Sequence, residues 1–384
     1  MLVAVIGGNL QGVEATYLSH KAGWEVMVID KNPAVPASGL CDSFVQLDVT
    51  SEIDLRQSVR GVDIVIPALE NDDALAILGR FTKTKDIPYV FDSRAYSISA
   101  SKAKSNRLFA QLGVPAPKSW PNCGFPVMAK PNKGSGSAGV RILNDLEELR
   151  CHFPMSMPSD DWVLQEFLAG SSFSQEVIGF SGQYQALPVT DLAMDAIYDC
   201  KRVLAPTELG AKLIAEFGQT SVAIAKALEL RGLMDVEVIV NSGEVKVLEV
   251  DARLPSQTPT AVYWSTGLNM VQMLGEFFLH GSIKSSSSRK EPQGVVYEHI
   301  RVSPNLLEVA GEHIMTGTGP LQIHQDFFGA DEAITNYAHG RGEWVATLII
   351  SGTDRGDAWA KRCHVIKEIR DRFGLQTYLD PSHD

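Results

Sequence analysis

The chain has 384 residues, 45% of them hydrophobic, and a formal net charge of −12 at pH 7. That length exceeds one ordinary hydrophobic core and predicts two or three domains. The acidic balance excludes non-specific nucleic-acid binding as the main activity, because such binding needs a basic footprint.

No stretch approaches the roughly 20 apolar residues of a membrane span. The opening run MLVAVIGG also has no basic segment ahead of it. Cytoplasmic residence and small-molecule partners are therefore expected. Cys41, Cys123, Cys151, Cys200 and Cys363 are odd in number and lack C-x-x-C spacing, which predicts reduced thiols.

The first ninety or so residues alternate short apolar runs (LVAVIGG, WEVMVID, VDIVIPAL, IPYVF) with helical stretches such as LQGVEATYLSHKAG. Alternation of that kind predicts a parallel α/β sheet. Its first turn runs Gly7-Gly8-Asn9-Leu10-Gln11-Gly12. A dinucleotide fingerprint needs glycine at position 9, where the backbone approaches pyrophosphate, so Asn9 speaks against a nicotinamide site. Asp30, ending the second strand, would suit a ribose contact. The expected reading is a tight strand-to-helix turn in a Rossmann-like domain whose loop, with Gln11 and Gly12, faces a cofactor cleft.

A helix is predicted over about Ser101 to Leu112, closed by Gly113 and the prolines at 115 and 117. Beyond it come the strands FPVMAK and AGVRIL, a helix near Leu143 to Arg150, the strand DWVLQEFL, further strand in SGQYQALPVTDL, and a long helix from Leu209 to Arg231. The segments LMDVEVIV and EVKVLEVDARL form a hairpin about Ser242-Gly243, and the polar run KSSSSRK at 284–290 is the expected linker. The resulting domains are 1–92, 93–283 with a flap subdomain at about 115–180, and 291–384.

Three features suggest chemistry. In VMAKPNKGSGSAGVRIL, Lys130 ends an apolar run and Gly134 to Ser137 follow. Backbone N–H groups of such a loop can nest an anion, and the lysine adds a point charge. The lysine precedes the glycines on a strand, unlike a Walker loop, so the geometry describes a flap over phosphates.

In the hairpin, Asp235 and Glu237 share one strand face, as do Glu249 and Asp251. If the connection is a three-residue loop, Ser242 to Glu244, Glu237 lies opposite Glu249 and Asp235 opposite Asp251. A two-residue loop would put Glu237 and Glu249 on opposite faces. Opposed carboxylates repel unless a cation neutralises them, and all-oxygen sites suit Mg²⁺. Arg253 follows at the same end, placed for phosphate oxygens or else as a salt-bridge partner for the acids. In VLQEFLAG, an apolar strand running into glycine can offer backbone groups to a purine edge.

Taken in order, a Rossmann-like start, a helix with lysines, a strand lysine before a Gly/Ser loop, Gln165-Glu166 with two apolar residues, and the acidic hairpin with Arg253 resemble the ATP-grasp superfamily of carboxylate–amine ligases. The resemblance spans nearly the whole chain. It implies an α/β (α+β) ligase with a Rossmann-like pre-ATP-grasp domain, an ATP-grasp domain with a glycine-rich flap, and a small C-terminal domain, using ATP and Mg²⁺.

By the same resemblance, Lys130 and either Lys104 or Lys102 contact phosphates. Ser135, Gly136, Ser137 and Ala138 form the flap, and Glu166, Phe167 and Leu168 hold adenine. Glu237, Glu249 and Asp251 hold Mg²⁺, and Arg253 stabilises the transferred phosphoryl group. Two positions depart from the family. Asp251 stands where Asn is frequent, and Ser172 stands where an acid usually holds ribose, leaving that task to Glu176 or Asp30.

The stretches GGNLQGVEATYLSHKAGWEVMVIDKNP, TDLAMDAIYDCKRVLAP and EVDARLPSQTPTAVYWSTGLNM are more specific. They resemble the ligase family of pyrrolysine biosynthesis, which implies phosphorylation of 3-methylornithine and attack by the ε-amine of L-lysine. Both amino acids carry ammonium groups, so acidic contacts are expected. The candidates are Glu70, beyond a strand end, Glu176, Asp191, Asp195 and the run Ser256, Gln257, Thr258. His299 is expected to be structural. The final ninety or so residues either complete the substrate pocket or form a homodimer contact. The alternatives are another amino acid pair, a purine-pathway carboxylate, an NAD-dependent oxidoreductase, or a binding protein with a decayed ATP site.

Overall fold

The computed structural model describes residues 1–51, 55, 58–134, 136–153, 161–282 and 289–381. Ser135 of the expected flap, and the expected linker up to residue 288, lie outside them. The described residues form two compact units. One comprises Met1–Phe91, Lys201–Pro206 and the described residues from Leu254 to Pro381; the other comprises Asp92–Cys200 and Thr207–Arg253.

The first unit opens with strands β1 (Leu2–Ile6), β2 (Glu25–Asp30), β3 (Ser43–Gln46) and β4 (Ile64–Pro67), in the order β3-β2-β1-β4. All pairings are parallel, with Leu2 beside Glu25 and Val3 beside Ile64. Val3 to Ile6 and Ile64 to Ile66 are almost completely buried, as expected of a parallel sheet covered on both faces. Helices α1 (Leu10–Lys21) and α2 (Asp72–Lys85) follow β1 and β4.

The turn between β1 and α1 is closely packed. A Cβ at Gly7 would lie 2.3 Å from Ala68 O, and one at Gly12 would lie 2.2 Å from Gly7 O. Only glycine fits either position. Asp30 Oδ2 accepts from Gly8 N at 2.8 Å and Oδ1 from Asn32 N at 2.9 Å, so this carboxylate ties the turn to the end of β2.

The same unit holds an antiparallel sheet of β11 (Cys200–Ala205), β14 (Gly294–Ser303), β18 (Trp344–Gly352), β17 (Ala330–Thr335) and β16 (Gln322–Phe327), in that order. Strand β15 (Leu306–Val309) pairs with β14 and β19 (Thr377–Leu379) with β15. Val296, Ile300 and Val302 of β14 face helix α9 (Arg355–Phe373), together with Glu298, which accepts from Arg362. Strand alternation therefore directs Tyr297 and His299 to the opposite face. Helix α7 (Thr258–Thr266) packs on β14, followed in the chain by α8 (Met270–His280).

The second unit begins with α3 (Ser93–Ser99) and α4 (Lys102–Leu112). A small antiparallel sheet follows, β6-β5-β7, made of β5 (Val127–Pro131), β6 (Arg141–Leu143) and β7 (Trp162–Glu166). Helix α5 (Leu146–His152) begins three residues later than the expected start. Asp145 caps it by accepting from Glu147 N and Glu148 N, and such a cap fixes where a helix begins.

The larger sheet contains β13 (Glu244–Asp251), β12 (Gly232–Asn241), β8 (Ser171–Phe180) and β10 (Thr190–Met194) in that order, with β9 (Gln183–Ala186) on β8. Helix α6 (Ala211–Leu228) covers one face through Phe217, Ile224 and Leu228. These side chains pack with Phe173, Val177, Val236, Val238, Val247 and Val250. Among the described residues no helix is long and apolar enough to cross a membrane.

Candidate active site

The centre of the second unit is built on the hairpin β12–β13. Its connection is a two-residue turn, with Asn241 opposite Glu244 and both Ser242 (φ 53°) and Gly243 (φ 80°) left-handed. The three-residue loop is thus replaced by a primed turn, whose twist matches the strands. The opposition of the acids survives for another reason. The register shifts between Glu237 and Val238, so Val238 pairs with Val247 while Glu237 pairs with Glu249. The extra residue, Leu248, is a β-bulge.

Its effect shows in the core. Before the bulge Val245 and Val247 face α6, and after it Val250 and Ala252 do. Glu249 and Asp251 are therefore turned to the face of Glu237 and Asp235, away from the apolar core.

Register extends this face across β8. Asp251 lies opposite Asp235, which lies opposite Glu176; Glu249 lies opposite Glu237, which lies opposite Ser174. Burial, then the charges of Asp235 and Glu249, push the Glu237 carboxyl up to about 8, while Lys130 pulls it down. Asp235 is also raised well above the ordinary range, by burial and then by Glu176, although Ser174 donates a hydrogen bond to it. A row of carboxylates held at such a cost suits a bound cation, and every donor is oxygen.

Two lysines meet the acids. Lys102 Nζ lies 2.9 Å from Glu249 Oε1 and donates to Gly134 O at 2.8 Å. Lys104 Nζ instead donates to Ser97 O at 2.9 Å. The helix lysine in the cluster is thus Lys102. Burial lowers the Lys130 pKa, with Glu249 and Glu237 opposing the shift and Lys102 adding to it.

Asn132, which the sequence did not single out, anchors the start of α4. Its Oδ1 accepts from Ser101 Oγ and Ala103 N, and its carbonyl accepts from Lys102 N. Its place in Lys-Pro-Asn, two residues after the strand lysine, was the available signal.

Arg253 Nε lies 2.6 Å from Asp251 Oδ2. In the glycine-rich loop, Gly136 and Ser137 have positive φ, and Ser137 Oγ donates to Tyr198 O at 2.6 Å; Ala138 follows directly. Glu166 N donates to Lys118 O at 2.8 Å and Phe167 N to Pro126 O at 3.3 Å, bringing the segment through Leu168 to the edge of β5–β7.

The other candidates scatter. Glu176 is 0% exposed within the acidic row. Asp191 accepts from Thr207. Asp195 is buried, its Oδ1 accepting from the backbone of Ile197 and Asp199 to shape a turn. Gln11 and Gly12 lie at the start of α1 in the first unit, where Gln11 Nε2 is 3.4 Å from Glu70 Oε1. Also in that unit, Ser256 donates to Glu312, while Gln257 and Thr258 are buried at the start of α7. His299 is buried and its pKa falls to about 3, chiefly through burial.

The ATP-grasp domain family matches residues 99–257, the stretch that supplies both lysines, the loop and the acidic hairpin. The chain is 35% identical over 375 residues to the 3-methyl-D-ornithine–L-lysine ligase of Methanosarcina mazei, covering 97% of this chain and 96% of that protein. It is also 35% identical over 376 residues to the same ligase of Methanosarcina barkeri, covering 97% and 98%. The chain belongs to the 3-methyl-D-ornithine–L-lysine ligase family.

This ligase is accordingly an ATP-dependent carbon–nitrogen ligase with the ATP-grasp fold. An ADP complex of N5-carboxyaminoimidazole ribonucleotide synthetase superposes with a TM-score of 0.71 at 14% identity, covering 97% of each chain. The biotin carboxylase domain of Hydrogenobacter thermophilus 2-oxoglutarate carboxylase gives 0.73 at 15% identity, covering 95% of this chain and 89% of that one. At those identities the likeness is one of fold.

Proposed function

We propose that this chain uses ATP to join the carboxylate of 3-methylornithine to the ε-amine of L-lysine, a step of pyrrolysine biosynthesis. The observation that supports it most is the gathering of Lys102 and Lys130 beside Glu237 and Glu249, next to the glycine-rich loop. That is the charge pattern a triphosphate and its counter-cation require.

In this reading Lys102 and Lys130 take phosphate oxygens, Gly136, Ser137 and Ala138 of the flap exclude water, and Glu166, Phe167 and Leu168 border the adenine. Glu237, Glu249 and Asp251 would hold Mg²⁺, which when bound neutralises phosphate charge. A carboxylate oxygen of 3-methylornithine attacks the γ-phosphorus and ADP leaves, with Arg253 steadying the equatorial oxygens. The lysine ε-amine then attacks the acyl carbon, phosphate departs, and the nitrogen loses its proton to give the amide. Exclusion of water protects the acyl phosphate.

We place the phosphate chemistry on 93–283, with 1–92 and 291–384 contributing to substrate recognition, and cytoplasmic work as the setting. The test is ADP release with Mg·ATP, L-lysine and 3-methylornithine or D-ornithine, omitting one component at a time. Release should need both amino acids and yield a product at their summed mass minus water. Release that is indifferent to amino acids would end this reading.

A further inference from the structure

Within the second unit, the two lysines of the phosphate site come from different elements. Lys130 lies on β5, and Lys102 is the first residue of α4. Their like charges oppose each other: Lys102 adds to the lowering of the Lys130 pKa, against which Glu249 acts. Lys102 Nζ reaches the same acid, 2.9 Å from its Oε1. Keeping two cations together on one carboxylate requires that α4 be held against β5.

Asn132 holds it, two residues beyond Lys130. The ring of Pro131 fixes φ between them, and Pro131 pairs with Trp162 across the small sheet. Asn132 N donates to Asp161 O at 2.7 Å, alongside that ladder. The residue is thereby fastened to the strand that carries Lys130.

Its other groups fasten the helix. The first amides of a helix have no partner within it. At α4 the Asn132 carbonyl accepts from Lys102 N at 3.0 Å, and Asn132 Oδ1 accepts from Ala103 N at 2.9 Å. The third amide, Lys104 N, donates to Ser101 Oγ at 3.4 Å, and that hydroxyl donates to Asn132 Oδ1 at 3.0 Å. Ser101 alone makes a local cap, which fixes where the helix starts. The bonds from Asn132, 29 positions from Ala103 in the chain, also fix where the helix sits.

Free amides at a helix N-terminus commonly bind phosphate. In α4 the first three are engaged, so attraction for phosphate is left to the lysine side chains and depends on where they are held.

We propose that Asn132 is a positioning residue for nucleotide binding: by joining the end of β5 to the first turn of α4, it sets the spacing at which Lys130 and Lys102 grip the phosphates of ATP. The proposal rests on the ligase reading above.

The test is titration calorimetry of Mg·ATP without amino acids, with thermal midpoints and kcat at saturating substrates measured alongside. Asn132→Ala should weaken Mg·ATP binding at least tenfold and keep kcat within threefold of wild type. Asn132→Gln, which displaces the same amide by one methylene, should weaken binding at least fivefold and carries the test if the alanine variant unfolds. Asn132→Asp keeps the acceptor, with its charge facing the positive end of the helix, and should bind within threefold of wild type.

Ser101→Ala removes the local cap but leaves the bonds from Asn132 to Lys102 N and Ala103 N. It should lower the thermal midpoint while weakening binding less than threefold. In a Lys102→Met background, Asn132→Ala should weaken binding by less than a further threefold, because the lysine it places is gone.

Wild-type binding in both Asn132→Ala and Asn132→Gln, equal weakening in Asn132→Ala and Ser101→Ala, no recovery in Asn132→Asp, or a full tenfold loss in the Lys102→Met background overturns the positioning role. Wild-type affinity in Lys102→Met alone would instead overturn the phosphate assignment of the ligase reading.

Discussion

Replacing Lys102 and Lys104 separately by Met separates two lysines that lie on the same turn of one helix. Lys102 Nζ stands 2.9 Å from Glu249 Oε1 and 2.8 Å from Gly134 O, whereas Lys104 Nζ is turned to Ser97 O. A hydrogen bond to a charged group contributes about 1.5–3 kcal/mol, and each 1.4 kcal/mol is about tenfold in affinity. Lys102→Met should therefore raise KM for ATP by about 10- to 150-fold, and Lys104→Met by less than about threefold. Glu249 is partly solvated, so losing its lysine partner should cost little stability. The assay is ADP release against ATP concentration at saturating amino acids, with thermal midpoints as the folding control. Equal losses in the two variants, or a larger loss in Lys104→Met, would refute the assignment.

Glu249→Gln should abolish turnover at an unchanged thermal midpoint; retained activity at ordinary Mg²⁺ would remove this acid from the cation site. Ser137→Ala frees the loop from Tyr198 O and should raise ADP released per amide formed, measured by parallel ADP and product assays. Phe217→Ala empties a fully buried position beneath the larger sheet and should cost about 3–5 kcal/mol, read from denaturant midpoints.

Glu14 has its folded pKa raised from 4.5 to about 7, so the folded state holds this proton more tightly than the unfolded chain does. Its contribution to stability is complete below pH 4.5 and is lost as pH rises through 7. At about 1.36 kcal/mol per pH unit, wild type should lose about 3 kcal/mol relative to Glu14→Gln between pH 4.5 and 8. Parallel stability profiles would show that Glu14 does not titrate in this way.

Several parts of the site were legible because they are local. Lys130 and the glycine-rich loop are contiguous, and the side-chain period of two puts Asp235 with Glu237 and Glu249 with Asp251 on any strand. Which strand faces meet was less plain. The turn has two residues, one fewer than the loop that would by itself oppose the acids, and the bulge at Leu248 restores the pairing. The phase change in Val245, Val247, Leu248, Val250, Ala252 was the available sign, since apolar alternation slips by one residue there.

The sequence by itself determined the parallel opening sheet, through continuous apolar runs ending at a turn that only glycine can make, and the acidic hairpin, through its alternation. Tertiary structure decided which lysine joins the cluster, that buried Glu176 lines up with the hairpin acids, and that Asp30 holds a turn. It also brought Glu14 against the backbone amide of Thr260, 246 residues away in the chain. Those outcomes depend on register between strands and on helix packing. Both are set by burial of surfaces far apart in the chain, and no local pattern encodes them.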